Sequence, residues 1–452
     1  MSRNPGNLKT FLARRASTVG VWRGPRGRGR AVATAVWLLA LVVLGPGCAV
    51  NRLQREADRA VADYFVGDYG SAVSRLNPVS TKTDENFVLN NLRLGSAALA
   101  AYDLDTAEGA FLRAYEVLNS VGVNDGGRTL GAVLLSENIR VWRGEPFERA
   151  MANFYLGLVY YLRRDYANAR AAFENALFKL RDYGEAKGKD DQYREQESNF
   201  ALAYLMLAKS YQRLGRDDAA EKNFARAVEL RPDLAEVADP DLNARSNVLL
   251  VVDFGYGPRK VQNGDGALAG FTPSPVEEGP PPPPVVRVDG RRIHTGGMAR
   301  PPVDLLALAQ DRRWQSLDTI RAVKSVVGTG LMAGGAIYGT RRDARPEIAL
   351  AAILGGALLK ATSQADVRQW EMLPRTVFVL PLVLPPGTHD ISVEFPEVPG
   401  VRQEWRGLVA PTEGQEATYY YRMQRYNNGP MNWPPPAMAG PRENVAGADA
   451  PH

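Results

Sequence analysis

Small and aromatic residues recur at fixed intervals in the first half of the chain. In three segments a small residue is followed by an alanine, a phenylalanine and a second alanine at 12, 16 and 19 positions further on. These sets are Gly95, Ala107, Phe111 and Ala114, then Gly157, Ala169, Phe173 and Ala176, then Ala208, Ala220, Phe224 and Ala227. Residues three or four apart share one helix face, so the interval predicts antiparallel helix pairs that cross at their small residues.

A weaker fourth copy begins at Ala60 and continues to Ala72 and Leu76. The intervals between the copies are uneven, which indicates inserts near 116–145 and 178–199. Because the second insert is charged and free of proline, we expect it to lengthen two helices rather than to form a loop.

After the third repeat the pattern becomes typical of strands. Val248–Phe254 is an almost unbroken apolar run, and it predicts a buried strand. For the glycine- and proline-rich stretch 257–284 that follows, we expect an exposed extended loop. Val285–Val288 then precedes Asp289-Gly290, a pair typical of a tight hairpin turn.

The segment 303–370 is predicted to be helical. It contains two apolar stretches, 326–339 and 348–359, and the first of them holds five glycines. Both are shorter than the roughly 20 residues that a membrane-spanning helix needs, so we expect a buried helical hairpin that covers a sheet. Membrane insertion and a role in oligomer formation are the alternatives, because small residues four apart favour close helix packing.

The C-terminal quarter of the chain is rich in β-forming residues. Thr376–Leu384 predicts a strand in which Pro381 indicates an edge or a bulge. Residues 389–395 alternate apolar and polar side chains, and 418–423 predicts a further strand. We expect a small antiparallel sandwich, followed by a disordered tail at 426–452.

Together these patterns predict an α+β fold in two parts. A helical repeat domain at 48–240 is expected to form a short superhelix. A β-rich domain at 246–425 is expected to contain one sheet, built from the strands near Val248, near Val285 and at 376–423. An isolated strand at Val248 would leave its backbone groups unpaired, so we expect it to join that sheet, apart from the repeats.

Residues 1–47 differ in composition from the rest of the chain. They carry eight basic residues and no acidic one, with an apolar run from Ala31 to Leu44 that is too short to span a bilayer comfortably. This order predicts an export signal. Without the segment the formal charge changes from +5 to −3, so the mature chain lacks the basic character of a nucleic-acid-binding protein.

Cys48 is the only cysteine in the chain, which rules out an internal disulfide. The stretch Leu44–Cys48 resembles a bacterial lipobox, whose cysteine becomes lipidated, although its leucine lies four positions before the cysteine rather than three. We therefore expect Cys48 to anchor the exported protein to a membrane, preferably the outer membrane. An uncleaved signal anchor and ordinary cleavage near the same point are the alternatives.

The helix pairs resemble the tetratricopeptide repeat, and the last copy adds the matching residues Tyr204, Leu207, Tyr211, Gly215 and Pro232. The chain also resembles a largely uncharacterised group of bacterial envelope lipoproteins that combine such repeats with a C-terminal β-rich part. Two motifs, at 142–149 and 364–370, carry this resemblance, and their marked residues are Trp142, Gly144, Phe147, Glu148, Asp366, Arg368 and Trp370. The resemblance implies a role in envelope or cell-wall assembly.

The sequence offers few groups for catalysis. Its three histidines are far apart, and it has no metal-ligand spacing, phosphate-binding loop or nucleophile elbow, so we expect no enzyme activity, metal or cofactor. Glu145 and Glu148 could do acid–base work, but the adjacent Pro146 favours a helix start. Asp366 and Arg368 could bind a ligand, but an ion pair that clamps helix to sheet is favoured.

These observations favour a binding scaffold, since stacked helix pairs form a concave groove suited to a protein or peptide partner. A second hypothesis is a membrane-embedded assembly or transport component that uses the glycine-rich region 326–359. A third is a hydrolase whose site is assembled from distant segments.

Overall fold

The computed structural model describes residues 52–119, 141–180, 182–183, 195–196, 198–263, 268–275, 283–311 apart from 296, 298 and 299, 366–424 apart from 397, 399 and 413, and 431–435. The expected signal segment, Cys48 and the glycine-rich region 326–359 lie outside these residues. Residues Arg55–His452 form one compact unit. None of the helices in the described ranges has the length and apolar character that a membrane crossing requires.

The described residues before the sheets contain four helical hairpins. Their helices are α1 (52–65) and α2 (Tyr69–Ser80), α3 (Phe87–Ala100) and α4 (Leu104–Asn119), α5 (Pro146–Leu162) and α6 (Tyr166–Phe178), and α7 (Ala201–Arg213) and α8 (Asp217–Leu230). A three-residue turn joins the helices of each pair. In the first three turns Asp68, Asp103 and Asp165 each accept a hydrogen bond from the backbone amide three residues later, which caps the second helix and fixes where it begins.

The hairpins cross at the small residues expected from the sequence. A Cβ placed on Gly95 would lie 2.6 Å from the Phe111 ring, and one on Gly157 would lie 2.8 Å from the Phe173 ring. Such distances leave no room for a larger residue, so the glycines permit the close approach of the two helices. The other repeat residues are likewise buried: Ala107, Ala114, Ala169, Ala176, Ala208, Ala220, Phe224 and Ala227.

The second insert does not lengthen the helices around it, and this prediction is wrong. α6 ends at Phe178, and Asp182–Tyr183 (β1) pairs antiparallel with Glu195–Gln196 (β2) before α7 begins at Ala201. The backbone of those residues bonds across a two-stranded ladder, which is incompatible with helical bonding four residues back along the chain.

Two sheets follow the repeats, after a 3₁₀ turn (Pro232–Leu234) and α9 (Pro240–Arg245). The four-stranded sheet has the order β12 (Ala417–Met423), β3 (Val248–Phe254), β9 (Thr376–Leu382) and β8 (Val303–Asp304). The five-stranded sheet has the order β13 (Met431–Asn432), β11 (Arg402–Ala410), β10 (Gly387–Glu394), β6 (Val285–Val288) and β7 (Arg291–Ile293). A separate hairpin joins β4 (Arg259–Asn263) to β5 (Leu268–Thr272), and α10 (Leu305–Gln310) follows β8.

The strands differ from the expected arrangement in three ways. They form two sheets rather than one, because β6 pairs with β10 and β7, not with the Val248 strand. The sandwich is not purely antiparallel, since β12 runs parallel to β3 and β13 runs parallel to β11. The stretch 257–284 is not one continuous loop, because β4 and β5 pair within it.

Three local predictions are confirmed. The Val248 strand is buried along its whole length and joins the later strands. Asp289 and Gly290 have φ angles of 50° and 79° in the β6–β7 turn, as a tight hairpin of this kind requires. No described strand pairs with β9 on the outer side of Pro381, since β8 pairs only with the first two residues of β9. Proline is tolerated at such an edge because it has no amide to pair outward.

The four-stranded sheet lies between the helices and the five-stranded sheet. The two sheets meet where Phe254 stacks on Phe395 at a ring distance of 4.0 Å and Tyr421 stacks on Trp405 at 5.3 Å. Repeats and sheets share one hydrophobic core, so the boundary expected at 240–246 does not separate two compact units. The reason is that β3 and β9 are buried on both faces, and a strand of that kind needs cover on both sides.

Part of the tail 426–452 is ordered, contrary to expectation. Met431–Asn432 pairs with β11, and the Trp433 ring contacts the rings of Tyr102 and Tyr419 at centroid distances of 5.4 and 4.8 Å. Contacts between aromatic rings are favourable, and here they hold the partly buried Trp433 in a segment whose composition is typical of disorder.

Candidate functional site: the inner face of the repeats

The first helices of the last three hairpins, α3, α5 and α7, are covered on two sides. One side packs against the second helix of the pair, and the other, here called the inner face, packs against the four-stranded sheet. Every residue of α3 is buried as a result. Successive strand residues point to opposite faces, so Glu416, Tyr420 and Arg422 point toward the inner face, while Tyr419 and Tyr421 point toward the five-stranded sheet.

Glu416 forms an ion cluster at the α7 end of the inner face. Its Oε2 atom lies 2.9 Å from both Lys209 Nζ and Arg213 Nη2, and the Tyr161 hydroxyl donates to Oε1 at 2.7 Å. The Glu416 side chain is fully buried. Burial pushes the pKa of Glu416 upward, but Lys209 and Arg213 outweigh it and hold the pKa below its usual value. The ionised carboxylate therefore ties α5 and α7 to the strand.

Asp253 forms a second cluster, near the middle of the inner face. The hydroxyls of Tyr155 and Tyr420 donate to Asp253 Oδ2 at 2.5 and 2.7 Å. None of the described residues donates to the buried Oδ1 atom. Burial raises the pKa of Asp253 to about 6, against the opposing effect of Arg422. One carboxyl thus joins a helix to two strands, and its protonation changes within a mildly acidic range.

Arg422 continues this network toward α1. Its Nε donates to the Tyr64 hydroxyl at 2.8 Å, and its two Nη atoms donate to the carbonyls of Gly255 and Met423 at 2.7 and 3.1 Å. The Tyr69 hydroxyl donates to the Arg422 carbonyl at 3.2 Å. The buried guanidinium therefore donates its hydrogen bonds to groups of the protein itself, and these bonds fix the strand against the first hairpin.

The two motifs of the envelope-lipoprotein resemblance meet in space. Trp142 Nε1 donates to the Arg368 carbonyl at 3.0 Å, and the Trp370 amide donates to Glu148 Oε1 at 2.7 Å. The Trp370 ring is buried, and its Nε1 donates to Ser96 Oγ of α3 at 3.1 Å. Segments more than 200 residues apart in the sequence are thus fastened together beside the inner face.

Asp366 and Arg368 form an ion pair, but they lie in a loop, so the pair does not clamp a helix to a sheet as expected. Arg368 Nη2 lies 2.7 Å from Asp366 Oδ2. Arg368 Nη1 also donates to the Glu85 carbonyl at 2.9 Å and to Asn86 Oδ1 at 3.2 Å. Since the guanidinium contacts the residue before α3, the pair fastens this segment to the beginning of a repeat helix.

Glu145 and Glu148 form the helix start that was favoured over acid–base chemistry. Glu148 Oε2 accepts a hydrogen bond from the Glu145 amide at 2.7 Å, within a reciprocal capping box, and Pro146 opens the helix. Gly144 has a φ of 67°, and a Cβ there would lie 3.2 Å from the Trp142 ring. Glycine is needed at this position for both reasons.

A buried charge cluster surrounds this helix start. Lys260 on β4 forms an ion pair with Glu145, and the Phe147 ring lies 5.1 Å from Phe271 on β5. Burial raises the pKa of Glu148 to about 7, although Lys260 opposes this. The β4–β5 hairpin is therefore held against the start of α5 by one ion pair and one aromatic contact.

The described residues hold no group of three or more His, Cys, Asp or Glu side chains that could bind a metal ion. The two histidines among them pair with other groups. His389 Nδ1 lies 2.6 Å from Asp289 Oδ2, and Nε2 lies 2.8 Å from the Pro385 carbonyl. Burial lowers the pKa of His389, but these two bonds outweigh it and raise the pKa overall. His294 pairs with Glu236 instead.

The groove predicted for a partner is occupied by the chain's own strands. β12 and the preceding Glu416 lie along the inner face and bond to the repeats there. A partner peptide at this face would have to displace β12 from β3, with which seven residues are paired.

Sequence analysis did not find the charged residues of the inner face. Asp253 is the one charged residue in an apolar strand, and Arg422 follows a run of three tyrosines within a strand. A charge inside a β-prone run was therefore the available signal. Buried charges are costly unless paired, and such a residue therefore indicates a partner elsewhere in the fold. Lys209 and Glu416 gave no comparable signal, because charges are common on helices and before strands.

Comparison with protein families finds a tetratricopeptide repeat at residues 201–234, which coincides with α7, α8 and the 3₁₀ turn. No curated protein matches the chain.

Several solved structures are similar to part of this chain, at low identity and low TM-score. A crystal structure of MamA is 17% identical, with 38% of this chain and 75% of that chain covered and a TM-score of 0.27. A thermophilic repeat protein of Thermus thermophilus, TTC0263, is 18% identical, with 42% and 98% covered and a TM-score of 0.21. The yeast Sti1 TPR2AB domain in complex with an HSP90 peptide is 17% identical, with 46% and 72% covered and a TM-score of 0.17. At these values the repeat assignment depends on residues 201–234 and on the hairpin geometry.

Proposed function

We propose that this protein is an exported, lipid-anchored and non-catalytic scaffold of the bacterial cell envelope that binds protein partners. The observation that carries the proposal is the array of four helical hairpins, which includes the matched repeat at 201–234. Stacked helical repeats present extended surfaces that suit protein partners.

The use of the buried charges supports a structural role over a catalytic one. Glu416, Asp253 and Glu148 each accept hydrogen bonds from two segments that are separate in the sequence. Groups held in this way fasten the fold together, whereas a general acid or base must reach a substrate. The filled inner face further indicates that partners bind on other surfaces of the protein.

The lipid anchor is tested by metabolic labelling. Cells that express the tagged full chain receive a palmitate analogue, and Cys48→Ala serves as the matched variant. We expect label on the wild type alone, because a lipidated cysteine carries the acyl chains. Label on both proteins, or on neither, would contradict lipidation at Cys48.

The scaffold is tested by chemical cross-linking in intact cells, followed by capture of the tagged protein from detergent-solubilised membranes. We expect the same few envelope proteins in repeated captures and their absence from cells that express the tag on an unrelated lipoprotein. If no envelope protein is recovered reproducibly above that control, the scaffold proposal is wrong.

A further inference from the structure

The outer edge of the four-stranded sheet is formed by β12 and is only partly closed. The Ala417 amide donates inward, to the Asn247 carbonyl at 2.9 Å. Backbone groups of consecutive strand residues point alternately to the two sides of the strand. Those of Thr418, Tyr420 and Arg422 therefore point outward, away from β3.

Tyrosines of the repeats close two of these three positions. The Tyr102 hydroxyl bonds to both backbone groups of Tyr420, at 2.6 and 2.7 Å, and the Tyr69 hydroxyl donates to the Arg422 carbonyl at 3.2 Å. No hydrogen bond joins a described residue to the backbone of Thr418 on this side. With respect to the described residues, the donor and the acceptor of Thr418 thus remain open to a further strand.

A cavity of about 230 Å³ lies beside Thr418. Four aromatic residues contribute to its walls: Tyr102, Tyr161, Tyr419 and Trp433. Pockets for small molecules usually measure roughly 300–1,000 Å³, so this cavity suits a single large side chain better than a cofactor or a drug-sized ligand.

The rim of the cavity is apolar and basic. Val409 lines the cavity and is 46% exposed. Arg164 also lines it, is exposed, and forms no ion pair with any residue that the structure describes. A ligand that enters here therefore gains from an apolar group for the cavity and from a negative charge for the rim.

We propose that this cavity, with the open edge at Thr418, binds an extended peptide segment of a partner protein. The peptide pairs its backbone with that of Thr418, inserts one large apolar side chain between the aromatic walls, and places an acidic residue near Arg164. Main-chain pairing supplies affinity and the pocket supplies specificity, as in other cases of strand addition. The inference rests on the proposed scaffold function and gives it a binding surface outside the filled groove.

A phage-displayed library of random heptapeptides, selected on the purified full chain in detergent, tests the site. We expect selected peptides that share a large apolar residue next to an acidic one. Synthetic copies should bind with affinities that fall at least tenfold in Val409→Trp, which fills the cavity mouth, and in Arg164→Glu, which reverses the rim charge. Lys222→Glu changes the same charge on exposed α8 and should leave binding unchanged.

Backbone pairing can be tested separately from the contacts of the peptide side chains. A synthetic peptide N-methylated at the amide that pairs with Thr418 keeps every side chain but loses that donor, so we expect its affinity to fall at least tenfold in a scan of singly N-methylated copies. Selected peptides that tolerate N-methylation at every position would overturn strand addition. Peptides that bind equally to wild type, Val409→Trp and Arg164→Glu, or a selection that enriches none, would overturn the site.

A further experiment distinguishes the failure of the scaffold proposal from the failure of the site proposal. Repeating the cross-linking capture with Val409→Trp should lose at least one partner that the wild type recovers. If every partner is retained, the scaffold stands and the site is wrong. If the wild type itself recovers none, the scaffold proposal fails, whereas peptide binding to the purified chain still measures the site directly.

Discussion

The Tyr102 hydroxyl bonds to both backbone groups of Tyr420, accepting from the amide at 2.7 Å and donating to the carbonyl at 2.6 Å. A single side chain thus takes the place of a neighbouring strand at this point of the sheet edge. Tyr102 lies in the α3–α4 turn with a φ of 61°, a conformation unfavourable for a residue with a side chain. A turn of the repeats is therefore shaped to hold a strand of the sheet.

Replacing Tyr102 with phenylalanine should destabilise the protein by about 1–3 kcal/mol, because two buried backbone groups of Tyr420 lose their partner. The ring and the unusual φ are retained, so only the hydroxyl is removed. Unfolding by urea, followed by far-UV circular dichroism, measures the change. Tyr115→Phe removes a hydroxyl that accepts one bond from Asn175 at 3.1 Å between partly exposed groups, and should cost less. Equal losses would contradict the special role of Tyr102.

Gly157→Ala should destabilise the protein by about 1–3 kcal/mol, since the new methyl group would lie 2.8 Å from the Phe173 ring and overpack the helix crossing. Gly70→Ala is the matched control. Gly70 is exposed near the start of α2, and a Cβ there meets nothing within 4 Å, so alanine should stabilise the helix by roughly 0.5 kcal/mol. Thermal unfolding midpoints that move in the same direction for both variants would show that the assigned crossing is wrong.

The repeats could be predicted from sequence because their signal is local and periodic. The interval from Gly157 to Phe173 describes one hairpin, and the interval from Gly95 to Phe111 describes the same crossing in another. The β6–β7 turn was predictable for the same reason, since Asp289-Gly290 specifies its own conformation. Local chemistry of this kind needs no knowledge of the rest of the chain.

The inner face could not be predicted, because its contacts join residues far apart in sequence. Tyr161 and Glu416 are 255 residues apart, and no periodicity links them. The apolar sequence of Val248–Phe254 indicated a strand that is buried on both faces. The sequence did not show that the repeats cover one of these two faces. For that reason two domains were expected where there is one compact unit.

Asp253 should make stability depend on pH between about 4 and 7. Burial raises its pKa from 3.8 to about 6, so the folded protein favours the protonated carboxyl. The contribution is complete below pH 4 and is lost as the pH rises through 6. At about 1.4 kcal/mol for each pKa unit, the loss amounts to about 3 kcal/mol.

Asp253→Asn isolates this effect, because an amide keeps an oxygen for the two tyrosine hydroxyls and does not titrate. The difference in unfolding free energy between variant and wild type should change in favour of the variant as the pH is raised from 4 to 7. Urea unfolding at four or five pH values measures it. A difference that stays constant across this range would show that Asp253 does not titrate as the buried environment implies.

Glu416 offers the sharpest test of the contact between repeats and sheet. Glu416→Gln removes the only carboxylate bonded to Lys209 and Arg213 in the described cluster, and it leaves two buried or partly buried cations without a counter-charge. Breaking a buried pair by changing one partner typically costs about 3–5 kcal/mol. We therefore expect a loss of that order in unfolding free energy at pH 7, measured with urea.

The double variant Lys209→Met/Glu416→Gln separates the charge effect from a general loss of packing. Methionine fills much of the lysine's space without a charge, so one cation, Arg213, remains, and it is 13% exposed and can reach water. If the electrostatic account is right, the double variant is more stable than Glu416→Gln alone, and the thermodynamic cycle gives a coupling energy above about 1 kcal/mol. Additive losses would mean that Lys209 and Glu416 act independently, and that the strand is held at this end of the inner face by its hydrogen bonds alone.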